Sequence, residues 1–595
     1  MDEDRNRPAG RTAATPRLRP LGRSGSVRIT GGPLAERVQD ALETYLSLPV
    51  DDVLHGFRRQ AGLPAPGRPM TGWASTTSES TFGQWVSGLA RTGVSAGEPQ
   101  AVDRARELVD GWWRTVGAGR DHRMSGYGIE KVVCGIVDLV ELAGHDDLLD
   151  LVEPIAAASS AAFGRERPPG SAVDFEGGIL APTRTLEWYT FAESFYRAWR
   201  LGAPDSVRDF AAEWHYDAYW DRFAAAPPPG AAWDVPPWLH AYSHLNTFAS
   251  VAQLYAVEAA EHWLTVLRNA HTYFTTTQLF ATGGYGPGEL TVPEDGTLGR
   301  SLEWRTDSAE IVCGSWAAFK LCAALVEHTG EARYGDWVEQ LLHSGIGAVT
   351  PVTAQGRSPY YQDYRLGTAT ELPHWDDWPC CSGTYLQNVG HMPDTLYGAS
   401  DDGLAVLQYV PSVVEWEHEG RSVRVEQRTR FPVEDTSELR VQADGPVRMA
   451  LRLRVPAWTA GFSVRVDDAV VDQVAAPGRW FVLDRVWHPG EVVRVVLGAT
   501  LRMLPVDRQH PERVAFAHGP VVLAQPADWT SPVALQTPSV MVDLQRAFVR
   551  EEGLRYRPVG PGTGRLPQGP LVPLADIPQR HPHRVYFDVG APRII

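Results

Sequence analysis

The stretch Val447-Arg-Met-Ala-Leu-Arg-Leu-Arg-Val455 places an apolar side chain at every second position. A period of two is typical of a strand that buries one face. Turns such as Ala475-Ala-Pro-Gly478 and His488-Pro-Gly490 separate further segments of this kind. Their apolar pairs are Val464 and Val466, Phe481 and Leu483, Val493 and Val495, and Val514 and Phe516. Such closely spaced strands predict an antiparallel β-sandwich over residues 401–530.

Upstream, from residue 31 to residue 400, the apolar residues recur at helical spacing instead. Tight turns such as Ala143-Gly-His-Asp-Asp147 and His328-Thr-Gly-Glu-Ala332 separate the helices. A long series of paired helices predicts either a closed α/α toroid or an open solenoid. One apolar stripe comprises Ile129, Val132, Val133, Ile136, Val137 and Val140. The fold class is therefore a multidomain chain in which α precedes β.

The two ends of the chain have a different composition. Residues 1–30 are largely Pro- and Arg-rich and predict a disordered tail. Residues 531–595 are Pro-rich with few clear strands. They predict a C-terminal β or irregular segment, with a second sandwich as one of its possible forms.

Composition excludes several classes of function. The 595 residues include 43% hydrophobic and 21% charged residues, as in ordinary globular proteins. With 55 basic and 72 acidic residues the net charge is −17, which argues against nucleic acid or an anionic membrane as a partner. We expect no transmembrane helix, because the sequence has no run of about 18 apolar residues. An odd number of cysteines and the lack of an export signal predict a cytoplasmic protein.

The most unusual feature is the adjacent pair Cys380 and Cys381, within Trp378-Pro-Cys-Cys-Ser-Gly-Thr-Tyr385. Neighbouring thiols do not readily bond to each other, but they can present two soft ligands to one metal ion. Upstream, Glu310 and Cys313 are three residues apart, which on a helix places them on one face. These four residues form a donor set that suits tetrahedral zinc. Two free thiols, or a redox pair, are the alternatives, while Cys134 and Cys322 lie in apolar stripes typical of the core.

This cysteine segment resembles the bacterial β-L-arabinofuranosidases of glycoside hydrolase family 127, formerly a domain of unknown function. The further matches are Asp401-Asp-Gly-Leu-Ala-Val-Leu-Gln-Tyr-Val-Pro411, His55-Gly-Phe-Arg-Arg-Gln-Ala-Gly-Leu-Pro64, Gly283-Gly-Tyr-Gly-Pro-Gly-Glu289, Arg333-Tyr-Gly-Asp-Trp337 and His518-Gly-Pro-Val-Val522. The resemblance runs from about residue 30 to beyond 520. It implies an (α/α)6 barrel as catalytic domain, followed by β-sandwich domains.

The resemblance also implies roles for individual residues. Cys380 corresponds to the nucleophile, and Glu289 to the general acid/base. Zinc ligands correspond to Glu310, Cys313, Cys380 and Cys381. The chain is identified as a divergent member, because Glu310-Ile-Val-Cys313 is one residue longer than the Glu-x-Cys of typical members. A longer stretch between Glu289 and Glu310 also makes Glu303 and Asp307 competitors for the acid role.

Other residues are candidates for substrate binding. His244-Leu-Asn-Thr247 resembles a segment of the family that lines the sugar pocket, and His240 lies one helical turn before it. Packing and capping histidines are the alternative interpretation of both. Asp363, Tyr364 and Trp378 are candidates for contacts with sugar hydroxyls or a ring face.

Three hypotheses of function follow. The first is a retaining exo-glycosidase that uses a zinc-bound thiolate and releases terminal β-L-arabinofuranose from a small oligosaccharide or glycoside. The second is a polysaccharide lyase on a similar toroid. The third is a carbohydrate-binding protein in which zinc has a structural role only. A homodimer remains one of the possible oligomeric states.

Overall fold

The N-terminal part of the protein is helical, as predicted. The computed structural model describes residues 11–117, 122–164, 167, 173–174, 178–179, 187–526, 544–559, 566–567 and 569–589. Its helices up to residue 391 are α1 (Gly32–Leu46), α2 (Val50–Gln60), α3 (Glu79–Ala96), α4 (Pro99–Val116), α5 (Gly126–Ala143), α6 (Val152–Phe163), α7 (Ala192–Leu201), α8 (Asp205–Ala212), α9 (Asp217–Trp220), α10 (Ala241–Asn246), α11 (Phe248–Glu258), α12 (Glu261–Thr277), α13 (Thr297–Ser301), α14 (Ile311–Thr329), α15 (Gly335–Ser344) and α16 (Cys380–His391).

Six of these described helices form a closed inner ring, in the order α3, α5, α7, α11, α14, α16 and back to α3. Other helices pack outside the ring, for example α4 on α3, α8 on α7, α12 on α11 and α15 on α14. The arrangement is an (α/α)6 barrel, so the closed toroid is confirmed and the open solenoid is wrong.

Glycine allows the closest contacts in this ring. A side chain at Gly83 of α3 would lie 2.0 Å from the backbone of Lys131 in α5. A side chain at Gly88 would meet Leu386 of α16 at 2.5 Å. These glycines let α5 and α16 pack directly against α3, which brings the start of α16 into the interior of the barrel.

Helix α14 is long and apolar enough to cross a membrane by length and composition alone, contrary to the sequence expectation. Within the structure, however, 83% of the most apolar 18-residue window of this helix is buried against the rest of the protein. A central helix of a soluble protein has the same character. The apolar composition of α14 therefore reflects its place in the inner ring.

Two packed sheets contain β1 and β2, which precede the barrel, and ten strands that follow it. One sheet has the order β1, β8, β9, β13, β16 and the other β15, β14, β17, β12, β11, β10, β2. Most pairs are antiparallel, but β9 and β13 run parallel. The bounds are β1 (Arg19–Pro20), β2 (Val27–Ile29), β8 (Tyr397–Ser400), β9 (Gly403–Val406), β10 (Ser412–His418), β11 (Arg421–Thr429), β12 (Thr436–Ala443), β13 (Val447–Arg454), β14 (Ser463–Val466), β15 (Ala469–Val470), β16 (Trp480–Trp487) and β17 (Val492–Val496).

A third sheet contains the remaining long strands. Its order is β18, β19, β20, β23, with β24 paired to β20 and β25 to β19. One face packs on the barrel and the other on the hairpin of β21 and β22. The bounds are β18 (Leu501–Pro505), β19 (Arg513–His518), β20 (Val521–Pro526), α17 (Leu544–Ala547), β21 (Phe548–Arg550), β22 (Tyr556–Pro558), β23 (Val572–Pro573), β24 (His583–Arg584) and β25 (Tyr586–Asp588).

Two predicted domain boundaries differ from this arrangement. Residues 19–20 and 27–29 are strands of the sandwich, so disorder is wrong for that part of the predicted tail, while residues 1–10 lie outside the described residues. Strands β18 to β20 pair with the C-terminal strands, which puts the change of sheet near residue 500 and not at 530. The alternating pattern runs through both sheets without a break, so it could not mark this change.

Short strands also lie in the connections of the barrel. They are β3 (Val173–Asp174), β4 (Gly178–Ile179), β5 (Ala309–Glu310), β6 (Pro359–Gln362) and β7 (Leu372–Pro373). Strand β6 pairs with both β5 and β7. This small sheet brings Glu310 and the tyrosines of β6 to one end of the barrel.

Candidate metal and active site

Two inner helices begin at the same end of the barrel. Helix α16 begins at Cys380, directly after Pro379, and helix α14 begins directly after Glu310. The three-residue spacing predicts that Glu310 and Cys313 lie on one face of a helix. The structure differs, because Glu310 precedes α14 and only Cys313 lies in its first turn. The N-terminus of a helix carries a partial positive charge, which favours thiolates and carboxylates.

The four predicted ligand residues come together at this point. Sγ of Cys313 lies 3.7 Å from Sγ of Cys380 and 3.3 Å from Sγ of Cys381. Oε1 of Glu310 lies 3.8 Å from Sγ of Cys380 and 3.4 Å from Sγ of Cys381. All four donor atoms lie within 4.8 Å of one another, and all four residues are buried. Such a group can hold one metal ion.

The chemistry of this donor set fits zinc. In a tetrahedral site with Zn–S bonds of about 2.3 Å, two sulfurs are separated by about 3.8 Å, close to the separation of Cys313 and Cys380. The second oxygen of Glu310, Oε2, is buried and has no hydrogen-bond partner among the described residues. Burial raises the pKa of Glu310 to about 8, so a cation next to this carboxyl group, whether a metal ion or the His240 ring 3.8 Å from Oε2, favours its ionised form.

The three thiols are not equivalent. Hydrogen bonds from Cys313, Cys381 and Tyr360 lower the pKa of Cys380 well below the usual range of a thiol, helped by the charge of Lys131. The hydroxyl of Tyr360 lies 3.5 Å from Sγ of Cys380. Burial raises the pKa of both Cys313 and Cys381. Cys380 is therefore the sulfur that this environment favours as a thiolate.

A second group of titratable residues borders the cysteines. Nε2 of His240 lies 3.5 Å from Oε2 of Glu289 and 3.8 Å from Oε2 of Glu310. Glu187 holds the other side of this ring, with Oε1 2.8 Å from Nδ1 of His240. The hydroxyl of Tyr361 donates a hydrogen bond to Oε1 of Glu289. Burial raises the pKa of Glu289, which suits a carboxyl group that donates a proton near neutral pH.

Comparisons with known families agree with this geometry. The family described as β-L-arabinofuranosidase, GH127 catalytic domain, matches residues 26–394, and the GH127 middle domain of the same enzymes matches residues 403–499. The chain belongs to the GH127 β-L-arabinofuranosidase family. It is accordingly a glycoside hydrolase that acts on a small carbohydrate substrate, and the resemblance seen in the sequence is confirmed. A comparison with curated protein sequences gives no match.

Solved GH127 structures share the fold over nearly the whole chain. A GH127 β-L-arabinofuranosidase from Geobacillus stearothermophilus T6 is similar with 17% identity and a TM-score of 0.69, covering 94% of this chain and 99% of that one. The GH127 β-arabinofuranosidase BT3674 is similar with 16% identity and a TM-score of 0.70, covering 97% of this chain and 98% of that one. At these identities the likeness supports the order of barrel and β domains.

The three carboxyl groups considered for the acid role, Glu289, Glu303 and Asp307, have different contacts in the structure. Glu303 forms an ion pair with Arg513 of β19 at 3.1 Å. Asp307 forms an ion pair with Arg305 at 2.7 Å. Glu289 is the one of the three that contacts His240 and lies in the group described above, so the geometry favours it for the acid role.

Three predicted substrate residues have other contacts. Asp363 is buried and forms an ion pair with Arg365 at 2.8 Å. The buried hydroxyl of Tyr364 bonds to Thr282 at 2.6 Å. Trp378 is 4% exposed and packs edge-on against Trp85, with ring centroids 5.4 Å apart. These contacts satisfy each side chain within the protein, and the contact of Asp363, Tyr364 and Trp378 with substrate stays a prediction.

The two histidines have different surroundings. His240 lies in the group itself, as described, and its contact with substrate stays a prediction. His244 is fully buried between the rings of Tyr189 and Tyr219, and its Nδ1 bonds to the carbonyl oxygen of His240 at 2.9 Å. Burial lowers the pKa of His244 to about 3, so the ring is neutral. The contact of His244 with substrate stays a prediction, as it does for His240.

Three neighbours of the site, Tyr360, Tyr361 and Lys131, were not among the predicted site residues. Tyr360 and Tyr361 are adjacent in β6 and contact Cys380 and Glu289 respectively. Lys131 is buried, with Nζ 3.2 Å from the ring centre of Tyr127. Lys131 is one of only two lysines in the chain and is buried, which is uncommon for a lysine.

Proposed function

We propose that the protein is a retaining exo-glycosidase that releases terminal β-L-arabinofuranose from short oligosaccharides or glycoconjugates. One observation carries this proposal: Sγ of Cys380 lies 3.8 Å from Oε1 of Glu310, and Nε2 of His240 lies 3.8 Å from Oε2 of Glu310 and 3.5 Å from Oε2 of Glu289. A buried thiol and a carboxyl group with a raised pKa in one group of contacts support the roles of nucleophile and proton donor for Cys380 and Glu289. The family supports the sugar, since its members are β-L-arabinofuranosidases.

In the first step, the Cys380 thiolate attacks the anomeric carbon and forms a C–S bond. The C–O bond to the leaving group breaks, and Glu289 gives its proton to the departing oxygen. In the second step, Glu289, now a carboxylate, takes a proton from water, whose oxygen attacks the same carbon. The C–S bond breaks, the thiolate returns, and two inversions give net retention.

The neighbouring residues have supporting roles in these steps. Glu310, Cys313, Cys380 and Cys381 would hold a zinc ion, which when bound keeps thiols ionised at neutral pH and fixes their positions. Tyr361 orients the carboxyl group of Glu289 through its hydrogen bond. Glu187 fixes the ring of His240, which lies between the two acidic groups.

Cytoplasmic action is part of the proposal. All five cysteines are free thiols in the structure, and a reducing compartment preserves thiols that are needed for metal binding or catalysis.

Hydrolysis of p-nitrophenyl β-L-arabinofuranoside by the full-length protein tests the function. Proton NMR of the first-formed sugar is expected to show the β anomer before mutarotation. Cys380→Ser is expected to abolish turnover, while Cys322→Ser, at a buried thiol away from the site, is expected to retain it. Release of the α anomer first, or full activity in Cys380→Ser, would contradict the proposed mechanism.

A further inference from the structure

His240 lies next to two carboxyl groups of the site, directly before helix α10. Its Nε2 is 3.5 Å from Oε2 of Glu289 and 3.8 Å from Oε2 of Glu310. One donor atom from each of these three residues lies within 4.8 Å of the other two. Hydrogen bonds between nitrogen and oxygen are typically about 2.9 Å long, so these separations are long for hydrogen bonds. They are closer to the distance of about 3.3–3.6 Å between two nitrogen or oxygen ligands of one tetrahedral ion.

The other side of the imidazole ring is fixed by a carboxylate. Oε1 of Glu187 lies 2.8 Å from Nδ1 of His240, and Oγ of Ser243 lies 3.0 Å from the same nitrogen. A proton that Nδ1 donates to Glu187 leaves Nε2 with a lone pair on the side of the two oxygens named above. Histidines that bind metal ions almost always have such a second partner, because it fixes the tautomer and makes the ring a stronger ligand.

The two oxygens of Glu310 face different groups. Oε1 lies 3.8 and 3.4 Å from the sulfurs of Cys380 and Cys381, whereas Oε2 lies on the side of His240. Neither Oε2 of Glu310 nor Nε2 of His240 has a hydrogen-bond partner among the described residues, and the side chain of Glu310 is only 5% exposed. A carboxylate with one oxygen towards each of two donor groups can bridge two metal ions, which are about 3.5–4 Å apart in such sites.

The charge of the surroundings favours a second cation. When ionised, the three thiols and one carboxyl group of the cysteine site carry more negative charge than one Zn²⁺ ion neutralises. Glu187 and Glu289 add two further carboxyl groups next to His240. The charge of Lys131 acts on Cys380, but its Nζ also lies 3.5 Å from Glu130. A second divalent ion therefore reduces an excess of negative charge.

Burial of the donor atoms is compatible with metal binding. Nε2 of His240 and Oε2 of Glu310 each expose less than 1 Å². A metal ion lies among its ligands and not in a cavity beside them, so shielded donor atoms are the usual condition of a metal site; Cys313 and Cys381 are fully buried as well. The side chains of His240 and Glu289 remain 12% and 13% exposed, so an ion reaches the group from their side.

We propose that His240, Glu289 and Glu310 form a second divalent-cation site, which Glu310 connects to the cysteine site. One nitrogen and two oxygen donors suit Zn²⁺, and water completes the coordination. The second ion is bound more weakly than the first, because no thiolate binds it, and dialysis against metal-free buffer removes it. The purified protein thus keeps one zinc per chain.

Occupation of this second site inhibits hydrolysis. An ion bonded to Oε2 of Glu289 takes the place of the proton that this carboxyl group gives to the leaving oxygen. The inhibition rests on the proposed function, whereas the metal binding depends only on the positions of the donor atoms. Free zinc is then a reversible inhibitor of an enzyme that holds one zinc ion permanently.

Titration of the metal-free full-length protein with cobalt(II) tests the binding. Cobalt bound to thiolates absorbs strongly in the near ultraviolet, whereas cobalt bound to nitrogen and oxygen does not. We expect the first equivalent to produce this band, and a second equivalent to bind in equilibrium dialysis without increasing it. A single bound equivalent at millimolar free cobalt would overturn the proposal and would show that the ring of His240 holds a proton in place of the ion.

Variants at the imidazole locate the second ion. His240→Gln is expected to bind one cobalt with the full thiolate band, because it removes a donor of the second site only. Glu187→Gln, a change outside the donor set, is expected to weaken binding of the second ion about tenfold to a hundredfold. The matched control is His262→Gln, at a histidine that is 45% exposed and 3.7 Å from Asp221, which is expected to bind two. Unchanged affinity for two ions in both His240→Gln and Glu187→Gln would overturn the proposal.

Activity measurements test the inhibition separately. Hydrolysis of p-nitrophenyl β-L-arabinofuranoside by the zinc-loaded protein is expected to fall as free zinc rises, with half inhibition at the concentration that half fills the second site. His262→Gln is expected to be inhibited at the same concentration. Full activity with the second site filled would overturn the inhibitory role. A protein that hydrolyses no arabinofuranoside at any zinc concentration would refute the proposed function, and the cobalt titration would still decide the metal site.

Discussion

Nε2 of His240 lies 3.5 Å from Oε2 of Glu289, and the same atom lies 3.8 Å from Oε2 of Glu310. One imidazole thus connects the carboxyl group assigned to proton transfer with the carboxyl group assigned to the metal. The position of Glu289 depends on this ring and on the hydroxyl of Tyr361. Changes at either end of the arrangement are therefore expected to affect turnover in different ways.

Replacing Glu289 by Gln removes the proton donor but keeps the shape of the side chain. We expect kcat to fall by about 10² to 10⁴, while zinc content and thermal stability stay unchanged. Substrates with an acidic aryl leaving group are expected to lose less, because their departure needs less protonation. Steady-state kinetics over a series of aryl arabinofuranosides measure this.

The matched control is Glu303→Gln, at a nearby carboxylate whose side chain is 54% exposed and paired with Arg513. It is expected to leave kcat unchanged. A larger loss of kcat in Glu303→Gln than in Glu289→Gln would show that Glu303, and not Glu289, is the general acid.

Replacing Glu187 by Gln tests the support of His240. Oε1 of Glu187 lies 2.8 Å from Nδ1 of His240, so the change removes a charged partner that fixes the ring. We expect kcat/KM to fall about tenfold to a hundredfold, with zinc retained. Glu258→Gln, at an exposed acid that bonds to Trp263, is the control. Unchanged kinetics in Glu187→Gln would show that His240 needs no orientation from this side.

Metal content distinguishes the cysteines of the group from those of the core. Cys381→Ser is expected to lose bound zinc and activity together, because it removes one of four donor atoms. Cys134 is buried as well, but burial raises its pKa to about 12 and no metal ligand contacts it. Cys134→Ser is therefore expected to keep one zinc per chain. Elemental analysis of both variants measures the zinc bound per chain. Equal zinc content in the two would refute the assignment of Cys381 as a ligand.

Acid lability is expected to originate at Asp138 of α5. Its carboxylate is fully buried and bonds to Arg91 and Arg197, both at 2.7 Å. Although burial opposes ionisation, these two cations hold the pKa of Asp138 below its usual value of 3.8. The stabilisation is therefore present above about pH 4 and is lost as the pH falls below it. Thermal unfolding between pH 7 and pH 3 measures this.

Asp138→Asn is expected to lower stability at pH 7 by about 3–5 kcal/mol, because it removes the buried carboxylate that Arg91 and Arg197 share and leaves them only Asp394 and Glu141 as acidic partners. The variant is also expected to lose less stability than the native protein between pH 5 and pH 3. Asp147→Asn, at an exposed partner of Arg106, is the control and is expected to change little. Parallel pH profiles for the native protein and Asp138→Asn would exclude Asp138 as the cause.

Local patterns in the sequence predicted the order of barrel and sandwich, because helical and strand periods depend only on neighbouring residues. The cysteine pair was also recognisable, since two adjacent thiols are rare. The contacts of β6 were not recognisable from the sequence. Tyr361 bonds to Glu289, whereas Asp363, two residues further along, forms an ion pair with Arg365. Strand β6 ends at Gln362, so the alternation that would give both side chains one face stops between them. The pairing of β18 to β20 with the C-terminal strands depends on long-range contacts that alternation does not encode.

The last prediction concerns the connection between the barrel and the middle sandwich. Arg454, at the end of β13, is fully buried and pairs with Asp336 and Glu339 of α15, both at 2.5 Å. Its Nε also donates to the carbonyl oxygen of Leu407. We expect Arg454→Met to destabilise the protein by about 3–5 kcal/mol, because Glu339 is then left buried without a cation.

The loss should act on the interface and not on either unit alone. Differential scanning calorimetry is expected to resolve two unfolding transitions in Arg454→Met, since the barrel and the sandwich lose a shared ion-pair network. Arg448→Met is the matched control, because Arg448 lies on the same strand but is 64% exposed and pairs with Asp484 on the surface. A single transition with unchanged midpoint in Arg454→Met would mean that apolar packing alone holds the two units together.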